Sequence, residues 1–215
     1  MKDVYMVTRP ERTWHWVNAA GIVVLALSGL NIHFAREFNL FGTLPAAIAV
    51  HNLVGILVSI NYMAWALYLV RTGRIRYYAP DHDDLAGGLL RQTRYYLFGI
   101  FHDAPHPFEE GAARKFNPLQ KWTYLGIMTV LLPLQVVTGL WLFHLIQAWQ
   151  DAGTALFQVL GVAHTVLAIL LTAFLIGHVY LATTGDTPWA HFRMMLTGYA
   201  ASHVEAIPEE RGNKS

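Results

Sequence analysis

Four stretches of the chain are almost wholly apolar, and polar segments separate them. They run over Trp14–Phe34, Leu44–Val70, Pro118–Trp149 and Thr154–Thr183. Each reaches or exceeds the roughly 20 residues that a helix needs to cross a bilayer. The first two and the last two are joined by short connections, whereas residues 71–117 between the pairs are long and polar. The pattern therefore predicts an all-α integral membrane four-helix bundle of two hairpins. We expect a single domain over residues 1–200 and a polar tail over 201–215.

Composition and charge add an orientation to this prediction. Of the 215 residues, 54% are hydrophobic and only 13% are charged, where a soluble domain has about 25% charged residues. Every Lys and Arg except Arg36 lies before the first apolar segment, after the fourth, or in the long loop and its edges. By the positive-inside rule, both termini and the loop are predicted to be cytoplasmic. The first segment has no small-residue cleavage site, so we interpret it as a retained helix and not as a signal peptide.

Histidines inside the apolar segments are the candidate functional residues. His164 and His178 lie in the fourth segment, fourteen residues apart. On a helix this spacing places both on nearly the same face, about 21 Å apart along the axis. Ionisable residues at membrane depth are costly and are functional candidates by default. The chain has no cysteine, which excludes cysteine-held iron–sulfur clusters and covalently attached c-type haem within it. If the chain carries out redox chemistry, histidine-ligated haem is the main option.

Depth in the membrane pairs these histidines with two others. His15 begins the first helix and should lie near the cytoplasmic face with His178. His51 is early in the second helix, which runs inward, and should lie near the outer face with His164. The sequence therefore predicts two haem b groups, with iron ligand pairs His15/His178 and His51/His164. Two histidine ligands leave iron no open position, which favours electron transfer over oxygen chemistry.

Glycines are expected where a helix must approach the flat macrocycle of a haem closely. Gly29 lies at the level of the outer pair, and Gly126 and Gly139 lie one at each level. Ordinary helix packing explains such small residues equally well. His33 shares a helix face with His15 but lies about 27 Å from it, beyond the level of His164. We interpret it as an interfacial residue or one that contacts a haem propionate, and not as an iron ligand. His144, at the outer end of the third helix, is interpreted in the same way.

Other functions remain open from the residues alone. His82, His102 and His106 lie in the polar loop in a pattern compatible with a metal site, although a solvated loop explains them better. A histidine-lined metal-ion transporter is an alternative function, but the apolar segments contain almost no carboxylates. A purely structural membrane anchor is a second alternative, and it would not need paired histidines. No feature indicates nucleic-acid binding.

The chain resembles the dihaem cytochrome b membrane subunits of thiosulfate reductase, membrane-bound formate dehydrogenase and nickel–iron hydrogenase. The resemblance covers Arg9–Tyr199 and is greatest for the thiosulfate reductase type. It rests on R-P-E-R-T-W-H-W around His15, H-N-L-V-G at His51, the two histidines of the fourth helix, K-F-N-P-L-Q-K, T-T-G-D-T-P-W-A-H-F and G-R-I-R-Y-Y-A-P. It implies a multi-pass protein of the bacterial inner membrane, surrounded by membrane lipid. It also implies an outer-face iron–sulfur or multihaem partner subunit, with or without a molybdenum catalytic subunit.

The resemblance also implies a quinone site on the cytoplasmic side. In the formate dehydrogenase relatives, an asparagine just before the third helix contacts quinone near the inner haem, and the matching residue is Asn117. Gln120 adds a second polar side chain there. The resemblance implies a quinone, either menaquinone or ubiquinone, as the substrate. A glycine of those relatives is replaced by Leu119, which changes the shape of the pocket. Asn117 and Gln120 also occupy the N-cap and N3 positions of the predicted helix, so capping is a second role for both.

Overall fold

Four long helices make up the computed structural model, which describes residues 3–102, 104–105, 107–108, 116–147, 155–184 and 187–201. The first two are α1 (Arg9–His33) and α2 (Leu44–Arg71), and the shorter α3 (Ala86–Leu97) follows them in the long loop. The third long helix combines α4 (Pro118–Gly126), a π-helical segment (Ile127–Leu131) and α5 (Leu132–Gln147). The fourth is α6 (Ala155–Ala182). All four are long and apolar enough to cross a membrane, which confirms the predicted all-α four-span bundle.

The first helix begins at Arg9, before the apolar run that starts at Trp14. Thr8 is its N-cap residue, and the Glu11 carboxylate accepts a hydrogen bond from the Thr8 N–H at 2.8 Å. Such a reciprocal cap satisfies N–H groups that the first turn leaves without intrahelical partners. Glu11 also forms an ion pair with Arg74 at 3.2 Å, which ties the start of α1 to the loop after α2.

The third spanning helix is not regular throughout. Its π-helical segment at Ile127–Leu131 comes just before Pro133. Proline has no N–H to donate to the preceding turn, so the α-helical hydrogen-bond pattern is interrupted there. The Tyr62 hydroxyl of α2 donates a hydrogen bond to the Met128 carbonyl oxygen, and the two oxygens are 2.6 Å apart. The irregular turn is thus bonded to the other hairpin.

Packing is tighter within each hairpin than between them. Helices α1 and α2 pack closely, as do α5 and α6, whereas α2 and α5 share a smaller contact. The approach of α1 to α2 depends on Gly21, where a Cβ atom would collide with the Val58 side chain. Trp14 and Trp65 stack between the same two helices, with ring centroids 4.4 Å apart. The two hairpins are therefore distinct packing units.

A small sheet joins the two ends of the described chain. Strand β1 (Asp3–Tyr5) pairs antiparallel with β2 (Tyr199–Ala201), which follows helix α7 (Ala190–Thr197). The Arg12 guanidinium donates to the Leu196 carbonyl, and Trp16 Nε1 donates to Met195 O at 3.0 Å. These bonds hold the start of α1 beside the segment that follows α6. The predicted tail lies outside the described residues from position 202 onward.

The long loop contains a helix that the polar composition did not predict. Helix α3 (Ala86–Leu97) packs against α4, and three short 3₁₀ turns flank it at Arg74–Tyr77, His82–Asp84 and Gly99–Phe101. The Lys121 ammonium binds Asp84 at 2.5 Å and Asp81 at 3.1 Å, and Trp122 Nε1 donates to Asp84 O at 2.9 Å. These bonds hold the loop against the start of the third spanning helix.

Candidate haem and quinone sites

The structure brings His15 and His178 together at one end of the bundle. His15 lies in the second turn of α1, and His178 lies near the end of α6. Their ring centroids are 6.1 Å apart. The ring of Phe174, one turn before His178, stacks on it with a centroid distance of 5.6 Å. We call this pair the inner pair.

The structure likewise brings His51 of α2 and His164 of α6 together, and we call them the outer pair. Their ring centroids are 6.2 Å apart. Because His164 and His178 share one helix, the two pairs lie about 21 Å apart along its axis. Each pair joins one helix of the first hairpin to one helix of the second.

These distances test whether haem iron fits between the rings. A metal–imidazole nitrogen bond is about 2 Å long, and that nitrogen lies about 1.1 Å from its ring centroid, so two ligands on opposite sides of one iron have centroids about 6 Å apart. The inner and outer pairs, at 6.1 and 6.2 Å, both match this spacing. Two histidines would hold haem iron with no open position, which suits electron transfer. The residues present therefore fit the group.

Glycines stand directly against the rings of the outer pair. A Cβ atom on Gly29 would lie 3.5 Å from His51 Cε1, and one on Gly139 would lie 3.0 Å from His164 Cε1. The expectation that Gly29 and Gly139 lie at the outer level is thus confirmed. Nothing in the described residues lies within 4 Å of the corresponding position on Gly126. The close approaches are made at the outer pair.

The outer rings have hydrogen-bond partners that sequence reasoning missed. Ser28 Oγ lies 2.9 Å from His51 Nδ1, and Thr138 Oγ1 lies 3.0 Å from His164 Nδ1. Gln135 Nε2 lies 3.1 Å from His164 Nε2. In the inner pair, His15 Nδ1 is buried without a hydrogen-bond partner among the described residues. The two pairs therefore have different surroundings.

Asn117 and Gln120 lie together at the start of α4, as predicted for helix capping. Asn117 Oδ1 accepts from the Gln120 N–H at 2.9 Å, and Gln120 Oε1 accepts from the Asn117 N–H at 3.0 Å. Asn117 is 1% exposed, and its Nδ2 donates to the Tyr96 hydroxyl of α3 at 3.1 Å. Tyr96 is a further residue that the sequence did not indicate. It belongs to the helix that was missed in the long loop.

Aromatic rings connect this polar start of α4 with the inner pair. Phe116 contacts Tyr124 at 5.3 Å between centroids, Tyr124 contacts Phe174 at 6.4 Å, and Phe174 stacks on His178. Tyr78 packs on Phe116 at 5.1 Å. Burial, followed by the nearby Glu11 carboxylate, raises the pKa of Tyr78 above its ordinary value, so its hydroxyl stays protonated at neutral pH. The described contacts that lead from Phe116 to His178 are thus aromatic.

Comparison with known proteins identifies the family. The sequence profile of the family described as "Prokaryotic cytochrome b561" matches residues 6–198. The chain belongs to this family. It is 36% identical to the "Putative cytochrome YdhU" of Escherichia coli strain K12, over 92% of this chain and 75% of that protein. It is 25% identical to the "Probable Ni/Fe-hydrogenase B-type cytochrome subunit" of Rhodobacter capsulatus, over 86% of this chain and 75% of that protein.

Membership makes the chain a prokaryotic multi-pass membrane cytochrome with haem b and a role in electron transport. The chain has seven further histidines. His33, His82, His102 and His144 are exposed, and His106 and His203 lie outside the described residues. His191 is half-buried, with its Nδ1 atom 3.2 Å from Ala182 O at the end of α6. No group of three or more metal-binding side chains occurs in the part of the chain that the structure describes.

Proposed function

We propose that this cytochrome binds two haem b groups, one between His15 and His178 and one between His51 and His164. We further propose that it transfers electrons between a membrane quinone on the cytoplasmic side and a redox partner on the outer side. The observation that carries the proposal is the spacing of the two histidine pairs, which suits bis-histidine iron at two levels of one bundle.

Each ligand pair has a defined task in this proposal. A haem held by two histidines supplies a one-electron carrier with no free iron position for substrate. The four imidazoles would hold that carrier between the two apolar hairpins. Gly29 and Gly139 keep the backbone of their helices close to the outer rings. The two sites then form a path for electrons along α6.

The quinone site is proposed at Asn117 and Gln120, close to the inner pair. Its support is the polar start of α4, the Tyr96 hydroxyl beside Asn117 and the aromatic residues that lead to His178. Quinone chemistry moves protons as well as electrons, so a site at the water-facing end of the bundle suits it. Menaquinone and ubiquinone share the required head-group chemistry, and electron flow in either direction is compatible with this arrangement.

The partner subunit is proposed to dock on the outer face, around residues 36–44 and 150–153. The second of these ranges lies outside the described residues. We infer an iron–sulfur or multihaem subunit, with or without a molybdenum catalytic subunit, of the kind that thiosulfate reductase uses. Support for that type comes from the motifs at Lys115–Lys121 and Thr183–Phe192. The hydrogenase subunit named above, from Rhodobacter capsulatus, favours a nickel–iron hydrogenase as the competing assembly.

Haem content of histidine variants tests the proposed ligation. A pyridine haemochrome assay should give two haem b per chain for the parent protein. His51→Ala and His164→Ala should each lose the outer haem, and His15→Ala and His178→Ala the inner one. His33→Ala is the control and should retain both. One haem or none in the folded parent would refute the ligation.

Variants of Asn117 test the quinone site separately. Asn117→Ser keeps a residue that caps helices well but removes the amide donor. It should slow reduction or oxidation of the haems by quinone while leaving their spectra intact. Thr43→Ala, which removes the cap of α2, is the matched control for capping alone. Unchanged quinone kinetics in Asn117→Ser, or a quinone-site inhibitor bound beside the outer pair, would contradict this placement.

A further inference from the structure

Two hydroxyl groups contact the outer pair in the same manner. Ser28 of α1 contacts Nδ1 of His51 on α2, and Thr138 of α5 contacts Nδ1 of His164 on α6. In each case the hydroxyl comes from the neighbouring helix of the same hairpin. Both are buried, with Ser28 0% and Thr138 7% exposed. The arrangement is thus repeated once in each hairpin.

The hydrogen atoms of these groups can be assigned by counting. A Ser or Thr hydroxyl has one hydrogen to donate. Ser28 Oγ lies 2.8 Å from Val24 O, and Thr138 Oγ1 lies 2.8 Å from Leu134 O. Each hydroxyl also has a second carbonyl of its own helix within reach, Leu25 O at 3.2 Å and Gln135 O at 3.1 Å. A carbonyl can only accept, so donation to the helix is the arrangement that uses these contacts. The hydroxyl oxygen then accepts from the ring, which places the imidazole proton on Nδ1 and leaves Nε2 unprotonated.

Gln135 lies at the other ring nitrogen of His164, where its Nε2 atom is 3.1 Å from His164 Nε2. The same nitrogen would hold iron under the proposed ligation, so the Gln135 side chain has to turn aside when haem is bound.

We propose that Ser28 and Thr138 are positioning residues for the outer haem, which fix the tautomer and ring orientation of both of its ligands. This rests on the proposed ligation by His51 and His164. A hydrogen bond from the second ring nitrogen raises the basicity of a metal-bound histidine. A more basic ligand stabilises the oxidised iron, so the two hydroxyls lower the midpoint potential of the outer site. Both hydroxyls contact the outer pair, and His15 Nδ1 has no hydrogen-bond partner among the described residues, so the effect is expected at the outer haem.

Potentiometric titration of the purified dihaem protein tests the proposal. Ser28→Ala and Thr138→Val should each raise the midpoint potential of one haem and leave the other unchanged. The low-temperature EPR signal of the same haem should shift because its ligand ring loses a fixed orientation. Ser59→Ala and Thr172→Val are matched controls, since within the described residues their hydroxyls donate to their own helices, at Gly55 O and Ala168 O. Neither control should shift a potential.

The possible failures give different results. Equal shifts in the variants and the controls, or no shift in any of them, would overturn the positioning role. Loss of outer haem in Ser28→Ala with retention in Ser28→Thr would support it, because outer partners of metal ligands contribute about 10–100-fold to affinity. Loss in both would overturn it. Failure of the ligation itself would be recognised separately, as full haem content in His51→Ala or His164→Ala.

Discussion

Removing the Lys121 ammonium should destabilise the cytochrome strongly, because that ammonium forms an ion pair with a buried carboxylate. Asp84 is 0% exposed and Lys121 is 6% exposed, whereas Asp81, the second carboxylate, is mostly exposed. Breaking a buried ion pair by removing one partner costs about 3–5 kcal/mol. The exposed contact with Asp81 adds at most about 1 kcal/mol. Lys121→Met should therefore lower the unfolding free energy by about 3–5 kcal/mol, which is mostly due to Asp84.

Thermal unfolding in detergent, followed by circular dichroism, measures this effect. For a chain of this size, the loss corresponds to a midpoint roughly 6–20 °C lower. The double variant Lys121→Met/Asp84→Asn removes both charges and should recover much of that loss. Arg94→Met, on the exposed face of α3, is the control and should change the midpoint little. A single variant as stable as the parent, or a double variant less stable than Lys121→Met, would refute the reasoning.

Two further predictions follow from the same structure. Gly139→Val should displace the His164 ring, because a Cβ atom at position 139 would already lie 3.0 Å from that ring. A haemochrome assay should then give one haem per chain. Gly161→Val is the control and should keep both haems, because no atom of the described residues lies within 4 Å of a Cβ at position 161. Stability should also fall in acid. Burial would raise the pKa of Asp84, but its hydrogen bonds with Lys121 and Asp81 outweigh burial and lower it. The contribution of Asp84 is therefore present above the unfolded-state pKa of about 4 and lost as pH falls below it. When the pH is lowered from neutral to below about 4, the unfolding midpoint of Asp84→Asn should fall less than that of the parent protein. An equal fall in both proteins would contradict this account.

The sequence predicted those features that depend on one helix at a time. The lengths of the apolar segments predicted the four spanning helices. The direction of each helix predicted that His15 lies level with His178 and His51 with His164. Both predictions need only the position of a residue along its own helix, since a helix rises by a fixed length per residue.

Features that depend on contacts between helices could not be predicted in this way. Ser28 and Thr138 contact histidines of neighbouring helices, and such contacts depend on the rotation and register of packed helices. Tyr96 reaches Asn117 only because α3 folds back onto α4. The π-helical segment had one signal in the sequence, Pro133, but proline alone does not determine how a spanning helix adapts around it.

The division of the ligands between the hairpins has a consequence for biogenesis. His15 and His51 are synthesised and inserted first, and their partners His164 and His178 follow in the last spanning helix. Under the proposed ligation, neither hairpin alone can hold a haem through two histidines. Cofactor incorporation is then a late event, after both hairpins have entered the membrane. Haem retention would then indicate that the whole bundle has assembled correctly. A truncated chain that ends before α6 would lack one ligand of each haem site.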